Sequence, residues 1–256
     1  MKVAILAGGK GSRLSEETDL KPKPMVEVGG RPILWHIMKY YAHYGFKEFF
    51  VALGYKSEVI KRYFLDYYSL AGGMTIDLST GETRPEKKAS EEWLVHLIDT
   101  GLDTFTGGRI KRLEPWLMDA TFMATYGDGV SNVDLHDLLR FHRSQGRLAT
   151  VTAVRPPARF GGLVLEGDQA IRFTEKAQAA EGWINGGFFV FEPGLFRYIS
   201  DDKTSLELDA LERLAAQGQL SAYKHNGFWQ PMDTLRDVRM LEALWESAKP
   251  PWKLWK

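Results

Sequence analysis

The sequence of 256 residues contains no cysteine. This absence excludes disulfide bonds, a thiol nucleophile and cysteine-ligated metal sites. An excess of one charge is also lacking, because 33 Lys and Arg residues balance 33 Asp and Glu residues. A neutral balance argues against non-specific binding to nucleic acid or to a membrane surface, since both need an excess of basic groups. We therefore expect neither nucleic acid nor a membrane as a partner.

Long apolar runs are missing as well. No stretch approaches the roughly 20 apolar residues that a membrane-spanning helix needs, and the apolar run in the opening MKVAILAGGKG is too short for a signal peptide. The six histidines show no spacing typical of a metal site. We expect His36 to pack inside the protein and His142 to lie at the surface. Together these features predict a cytoplasmic protein.

Apolar segments of two kinds alternate along the chain. Runs typical of buried strands occupy 2–7, 46–54, 121–129 and 147–154. Apolar residues recur at the spacing of a helix in 32–45, 57–67, 108–117, 134–145, 205–217 and 234–247. This alternation predicts an α/β fold with a Rossmann-like, mixed but mostly parallel sheet and helices on both faces.

The pattern changes after Pro156-Pro157. Short apolar runs at 161–166, 170–176 and 184–192 are separated by tight turns and predict a small antiparallel insertion. Residues 80–92 are polar and charged, and we expect an exposed loop there. The chain carries no repeat and is expected to form one domain over 1–256.

A glycine-rich loop, LAGGKGSRL, follows the first predicted strand. It does not fit the dinucleotide fingerprint, because Leu14 stands at the third glycine position and no acidic residue ends the next strand. It does not fit a P-loop either, because Gly9-Lys10 is followed by Gly11 instead of Ser or Thr. What remains is a loop whose backbone N–H groups can surround a polyphosphate.

Positive charge lies close to this loop in the sequence. Arg13, Lys21 and Lys23 can supply it, and Pro22 and Pro24 are expected to hold the segment extended with both lysines on one side. The alternative is a tight turn with solvated lysines. The co-occurrence of arginine, lysines and prolines favours phosphate binding.

These residues belong to longer motifs that resemble a known family. LAGGKGSRL followed by KPKPMVEVGGRPIL resembles the signature of the sugar-1-phosphate nucleotidylyltransferases, and the likeness runs essentially end to end. The segments HLIDTG, TGGRIKR, TYGDGV, INGGFFV, GFWQPMDTLRD and PPWKLW are similar to members that use CTP and glucose 1-phosphate. The resemblance implies the nucleotidyltransferase fold, with nucleotide bound by about 1–155 and sugar phosphate by about 156–256.

The resemblance also implies functional residues. It gives Arg13, Lys23 and Lys176 catalytic roles on the phosphates, and it implies that Asp128 and Asp233 together bind Mg²⁺. The substrate-binding residues that it implies are Leu6, Ala7, Gly8, Gly9, Lys10, Gly11, Ser12, Arg13, Lys23, Thr106, Arg109, Gly127, Glu175, Lys176, Asn185 and Gly186. The chain departs from the family at Ala177, where a proline is usual. Without the proline we expect a looser turn, which fixes the direction of the Lys176 side chain less well.

Each of these assignments has a plainer alternative. Asp128 could be a turn residue, Asp233 could be the N-cap of the last helix, and Lys176 could be solvated at a strand end. The glycines of INGGFFV could mark a bulge. At the level of function, the alternatives are transfer from UTP or dTTP, a non-catalytic nucleotide-sugar-binding regulatory protein, and a dehydrogenase.

The end of the chain, ALWESAKPPWKLWK, is rich in tryptophan. A free terminus would leave these side chains in water, so we expect the tail to dock on its own chain or on a neighbour. The family tends to oligomerise, and we expect a homo-oligomer.

Overall fold

A computed structural model describes residues 1–11, 14–67, 73–85, 91–156, 162–166, 168–174, 182–247 and 249–255. Within these residues the strands are β1 (Lys2–Leu6), β2 (Glu27–Val28), β3 (Arg31–Pro32), β4 (Glu48–Leu53), β5 (Met74–Asp77), β6 (Glu82–Pro85), β7 (Leu94–Asp99), β8 (Phe122–Tyr126), β9 (Gly129–Ser131), β10 (Ala149–Val154), β11 (Gly162–Glu166), β12 (Gln169–Thr174), β13 (Ile184–Phe191), β14 (Leu220–His225) and β15 (Trp229–Pro231). The helices are α1 (Ser15–Thr18), α2 (Ile33–His43), α3 (Ser57–Leu65), α4 (Thr106–Arg112), α5 (Glu114–Leu117), α6 (Leu135–Gln145), α7 (Glu212–Ala216) and α8 (Leu235–Glu246). The described residues also form 3₁₀ turns at Lys23–Met25 and Pro193–Tyr198 and a π-helical turn at Leu206–Leu211.

Seven strands form one sheet in the order β14-β10-β13-β8-β1-β4-β7. All neighbours in it are parallel except β13, which runs antiparallel to both β10 and β8. The predicted mixed, mostly parallel α/β sheet is therefore confirmed. β1 lies inside the sheet between β4, the next strand of this sheet along the chain, and β8, to which the chain returns on the other side.

Side chains of the central strands alternate between two apolar layers. In β1, Val3 and Ile5 pack into the layer that holds α2 and α8, whereas Ala4 and Leu6 pack into the layer that holds α4 and α5. This alternation is the two-residue period of a strand with both faces covered. The helices therefore lie on both faces, as expected.

The antiparallel part of the prediction is confirmed only in part. β11 and β12 do form a separate two-stranded hairpin. β13, from INGGFFVF, is instead buried in the main sheet between β10 and β8, because its run of large apolar residues needs cover on two faces. The sequence pattern did not predict the edge strands β7 and β14 or the exposed hairpin of β5 and β6. Strand β6 falls in the segment that was expected to be a loop.

The tryptophan-rich tail docks on its own chain, as expected. Trp252 has no exposed surface, stacks on Phe228 and Trp245, and donates its Nε1–H to Nδ1 of His36 at 3.3 Å. His36 is packed as predicted. The prediction for His142 is wrong, because the side chain is buried on α6 and contacts Thr150 Oγ1 at 2.8 Å.

None of the helices in the described part of the chain is both long enough and apolar enough to cross a membrane.

Candidate active site

A pocket of about 480 Å³ opens at the carboxyl ends of β1 and β8. This is the point where the chain changes direction across the sheet, and ligands of open α/β sheets bind at such points. The residues that line the pocket are Leu6, Ala7, Gly8, Gly9, Gly11, Lys23, Pro24, Thr104, Phe105, Thr106, Arg109, Tyr126, Gly127, Asp128, Ser205 and Glu207.

Most of the predicted substrate-binding residues that the structure describes line this pocket. Lys10 is exposed beside it, with Nζ 3.5 Å from an oxygen of Asp103. Asn185 and Gly186 lie at the adjoining end of β13. Ser12, Arg13, Glu175 and Lys176 lie outside the described residues. Their predicted roles stay predictions.

Lys23 reaches the pocket from a short 3₁₀ turn. The expectation of an extended Lys-Pro-Lys-Pro segment is wrong at this point: Met25 donates its N–H to the carbonyl of Pro22 at 2.8 Å, and Pro24 lies in the first turn. Proline fits there because an N–H in a first helical turn has no partner to lose. Lys21 does not join the pocket, and its Nζ lies 3.8 Å from Glu17.

Asp128 and Asp233 are brought together by the pairing of β9 with β15. Pro231 lies opposite Gly129, and Met232 donates its N–H to the carbonyl of Asp128 at 2.8 Å. The backbone N–H of Asp233 donates to Asp237 at 3.1 Å. Two residues 105 positions apart thus present carboxylates at one edge of the pocket.

The N-cap of α8 is Thr234, not Asp233. The Thr234 side chain accepts from the N–H of Asp237, and the Asp237 carboxylate accepts from the N–H of Thr234, which is a capping box. The cap explanation of Asp233 is therefore wrong, and its side chain faces Lys23 instead.

The ammonium of Lys23 lies between the two carboxylates. Its Nζ is 2.6 Å from Oδ2 of Asp128 and 2.6 Å from Oδ1 of Asp233. The lysine side chain is 9% exposed, and those of Asp128 and Asp233 are 29% and 15% exposed. Two carboxylates that hold one cation at a pocket edge have the charge and hard oxygen donors that suit a divalent metal.

The protein alone supplies few ligands there. Within the residues that the structure describes, no three or more His, Cys, Asp or Glu side chains group as a metal site. Sites with one or two carboxylates are typical of Mg²⁺ when substrate phosphates and waters complete its coordination. The residues therefore fit a metal that binds together with a phosphate substrate.

Arg109 is buried below the glycine loop. Its guanidinium donates to five oxygens, those of Gly8 (carbonyl, 3.0 Å), Leu53 (carbonyl, 3.0 Å), Thr100 (hydroxyl, 2.8 Å), Gly101 (carbonyl, 2.7 Å) and Leu102 (carbonyl, 3.2 Å). Burial, and then the charge of Arg112, lowers the pKa of Arg109. Its position beside the pocket agrees with the predicted placement, but these contacts make it a support of the loop.

Two further pocket residues, Tyr126 and Glu207, were missed in the sequence. The Tyr126 hydroxyl donates to Glu207 Oε1 at 2.6 Å, and Thr106 Oγ1 donates to Glu207 Oε2 at 2.6 Å. Burial, and then the neighbouring Glu207 carboxylate, raises the pKa of Tyr126, so the hydroxyl keeps its proton. Glu207 lies in the π-helical turn, a type of turn that is frequent at functional sites.

Comparison with known proteins places the chain in a family. A model of the family described as nucleotidyl transferase matches residues 2–249. The chain is 49% identical to the glucose-1-phosphate cytidylyltransferase of Salmonella typhi and 44% identical to the probable glucose-1-phosphate cytidylyltransferase of Bacillus subtilis, with all of each chain covered.

Solved structures agree on the fold. HddC from Yersinia pseudotuberculosis superposes with a TM-score of 0.71 at 23% identity, over 95% of this chain and 99% of that one. A UDP-glucose pyrophosphorylase bound to UDP-glucose gives 0.67 at 14% identity, over 96% and 98%.

Proposed function

The chain belongs to the nucleotidyl transferase family, and we propose that it transfers a cytidylyl group from CTP to α-D-glucose 1-phosphate. The products are CDP-glucose and pyrophosphate. The observation that carries the proposal is the ion triad of Lys23, Asp128 and Asp233 at the edge of a glycine-lined pocket. Full-length identity of 49% to a relative named for this reaction supports the choice of substrates.

The chemistry requires one bond to form and one to break. An oxygen of the sugar phosphate attacks the α-phosphorus of CTP, and the bond between that phosphorus and the pyrophosphate oxygen breaks. The attacking phosphate is already ionised near neutral pH, so no protein nucleophile is needed. Positioning and charge neutralisation are then the protein's contribution.

The residues divide this work by position. Gly9 and Gly11 present backbone N–H groups to the triphosphate. The Lys23 ammonium leaves the carboxylates of Asp128 and Asp233 and then holds the α-phosphate. Arg13 neutralises the leaving group and Lys176 orients the sugar phosphate, as the family resemblance implies.

Asp128 and Asp233 would hold Mg²⁺, as the position of the Lys23 ammonium between them supports. The metal, when bound, neutralises charge on the phosphates of the substrate. The same proposal has three further parts. Residues 1–155, approximately, bind the nucleotide and residues 156–256, approximately, bind the sugar phosphate. The protein is a homo-oligomer and lies in the cytoplasm.

The test is a pyrophosphate-release assay with purified protein, Mg²⁺ and glucose 1-phosphate. CTP, UTP, dTTP and GTP are offered in turn, and kcat/KM is compared. We expect CTP to be preferred. Preference for another nucleotide would change the base but keep the reaction, whereas binding of CDP-glucose without turnover in either direction would leave a regulatory protein.

A further inference from the structure

A chain of hydrogen bonds joins Asn185 to Glu207 through Tyr126. Asn185 Nδ2 donates to the Tyr126 oxygen at 3.1 Å, and that hydroxyl donates to Glu207 Oε1 at 2.6 Å. The other carboxylate oxygen accepts from the hydroxyls of Thr106 at 2.6 Å and Ser205 at 2.9 Å. This series of hydrogen bonds therefore crosses from β13 to the π-helical turn along one wall of the pocket.

The direction of each bond is set at the two ends. At one end, the N–H of Gly187 donates to Asn185 Oδ1 at 2.8 Å, and a backbone N–H can only donate. At the other end, an ionised carboxylate can only accept, so Tyr126 must donate to Glu207. The tyrosine oxygen is then free only to accept, and the nitrogen of the Asn185 amide must face it.

The hydroxyls beside Glu207 have fixed directions as well. Thr106 Oγ1 accepts from the N–H of Leu206 at 2.9 Å, and Ser205 Oγ accepts from the N–H of Leu208 at 3.1 Å. Their protons are therefore available for the carboxylate. Glu207 thus acts as the common acceptor that orients the whole series of hydrogen bonds.

The Tyr126 ring is also held sterically. It packs against Gly187, where an added Cβ would lie 2.5 Å from Cδ2 of the ring. Tyr126 ends β8, two residues before Asp128. The ring therefore lies directly against β13, and a side chain at position 187 would displace it.

We propose that Tyr126 and Glu207 are positioning residues for the sugar phosphate. By fixing the Asn185 amide, they leave its second N–H, the one that the described contacts do not use, to donate to a hydroxyl oxygen of the sugar. This inference rests on the proposed function, because it takes a sugar phosphate as the ligand of Asn185.

The main variant is Tyr126→Phe, which keeps the ring and removes the hydroxyl. We expect the KM for glucose 1-phosphate to rise about tenfold, the size of one lost hydrogen bond, with the KM for CTP within about twofold. Glu207→Gln should raise the same KM, because its amide offers a donor where the hydroxyls need an acceptor.

Two matched controls are available. Tyr198→Phe removes a hydroxyl that bonds Gln217 at the surface. Glu192→Gln alters a carboxylate that accepts from Thr121, next to the opposite end of β8. Neither change should alter the KM for glucose 1-phosphate.

A double-mutant cycle separates positioning from an independent contact. Asn185→Ala should raise the KM for glucose 1-phosphate, and adding Tyr126→Phe to it should change the KM little further. A panel of deoxyglucose 1-phosphates provides a second readout: the wild type should discriminate against the analogue that lacks the hydroxyl bound by Asn185, and Tyr126→Phe should lose that discrimination.

The outcomes distinguish the two proposals. If the wild type forms no CDP-glucose, the proposed function fails and takes this inference with it. If the wild type is active but Tyr126→Phe behaves like Tyr198→Phe, or its effect multiplies fully with that of Asn185→Ala, the positioning role alone is overturned. Should Tyr126→Phe not fold, the cycle of Glu207→Gln with Asn185→Ala gives the same decision.

Discussion

The ion triad predicts that Lys23 competes with a divalent metal for the same two carboxylates. Replacing Lys23 with methionine keeps an unbranched apolar side chain but removes the ammonium that lies 2.6 Å from both Asp128 and Asp233. The two carboxylates then lose the ammonium that they share. A metal ion added in the absence of nucleotide should restore the balance of charge.

The size of the effect follows from the charges. At an effective dielectric constant near 20, one lysine–carboxylate pair at about 4 Å is worth about 4 kcal/mol. Solvent reduces this value, because Asp128 and Asp233 are 29% and 15% exposed. Even one third of one pair, about 1.4 kcal/mol, corresponds to a tenfold change in affinity. We therefore expect Lys23→Met to bind a divalent ion at least about tenfold more tightly.

Mn²⁺ is the probe, and binding to the nucleotide-free protein is followed by electron paramagnetic resonance or calorimetry. Lys2→Met is the matched control, because Lys2 pairs with Asp119 at 2.9 Å at the opposite end of β1. With CTP present, Lys23→Met should lower kcat with little change in metal requirement, since the phosphates then help to hold the ion. Mn²⁺ affinity equal to that of the wild type would refute the competition.

Three further predictions concern the site and its support. Asp128→Asn and Asp233→Asn should each lower kcat strongly and raise the Mg²⁺ needed for half-maximal turnover, and the double variant should lose much less than the sum of the two single effects; full activity of Asp233→Asn at low Mg²⁺ would contradict the two-carboxylate site. Arg109→Lys should lower the free energy of unfolding in urea by about 2–4 kcal/mol, because a compact ammonium cannot reach five acceptors; an unchanged midpoint would argue against a supporting role. Burial lowers the pKa of His36 to about 4, so between about pH 6.5 and pH 4 the unfolded chain binds a proton that the folded chain does not. The free energy of unfolding should therefore decrease by about 3 kcal/mol as the pH is lowered across that window. His36→Gln should flatten this part of the profile of unfolding free energy against pH.

The sequence predicted the parts of the fold that depend on local pattern. The strands near β1, β4, β8 and β10 and the helices α6 and α8 lie where apolar periodicity indicates them. β13 was predicted as a strand but assigned to the wrong sheet, because periodicity does not specify a partner. Strand partners are set by packing between segments that are distant in sequence.

The candidate site divides in the same way. Lys23, Asp128 and Gly8 could be predicted because they stand in motifs with a recognisable spacing. Glu207 could not, because its role depends on hydroxyls of Tyr126 and Thr106, which are 81 and 101 positions away. A glutamate in an amphipathic segment has no local signal that separates a pocket residue from a solvated one.

The glycines of the opening loop illustrate how one motif combines different physical demands. A Cβ at Gly8 would lie 2.2 Å from a guanidinium nitrogen of Arg109, so this position is bare because a buried side chain needs the space. Gly11 has a φ of +64°, which favours glycine whatever its surroundings. At Gly9 an added Cβ would meet nothing within 4 Å. Neither sterics nor backbone conformation within the described residues accounts for Gly9, which lies in the pocket lining. We therefore propose that its bare backbone serves the approach of a ligand.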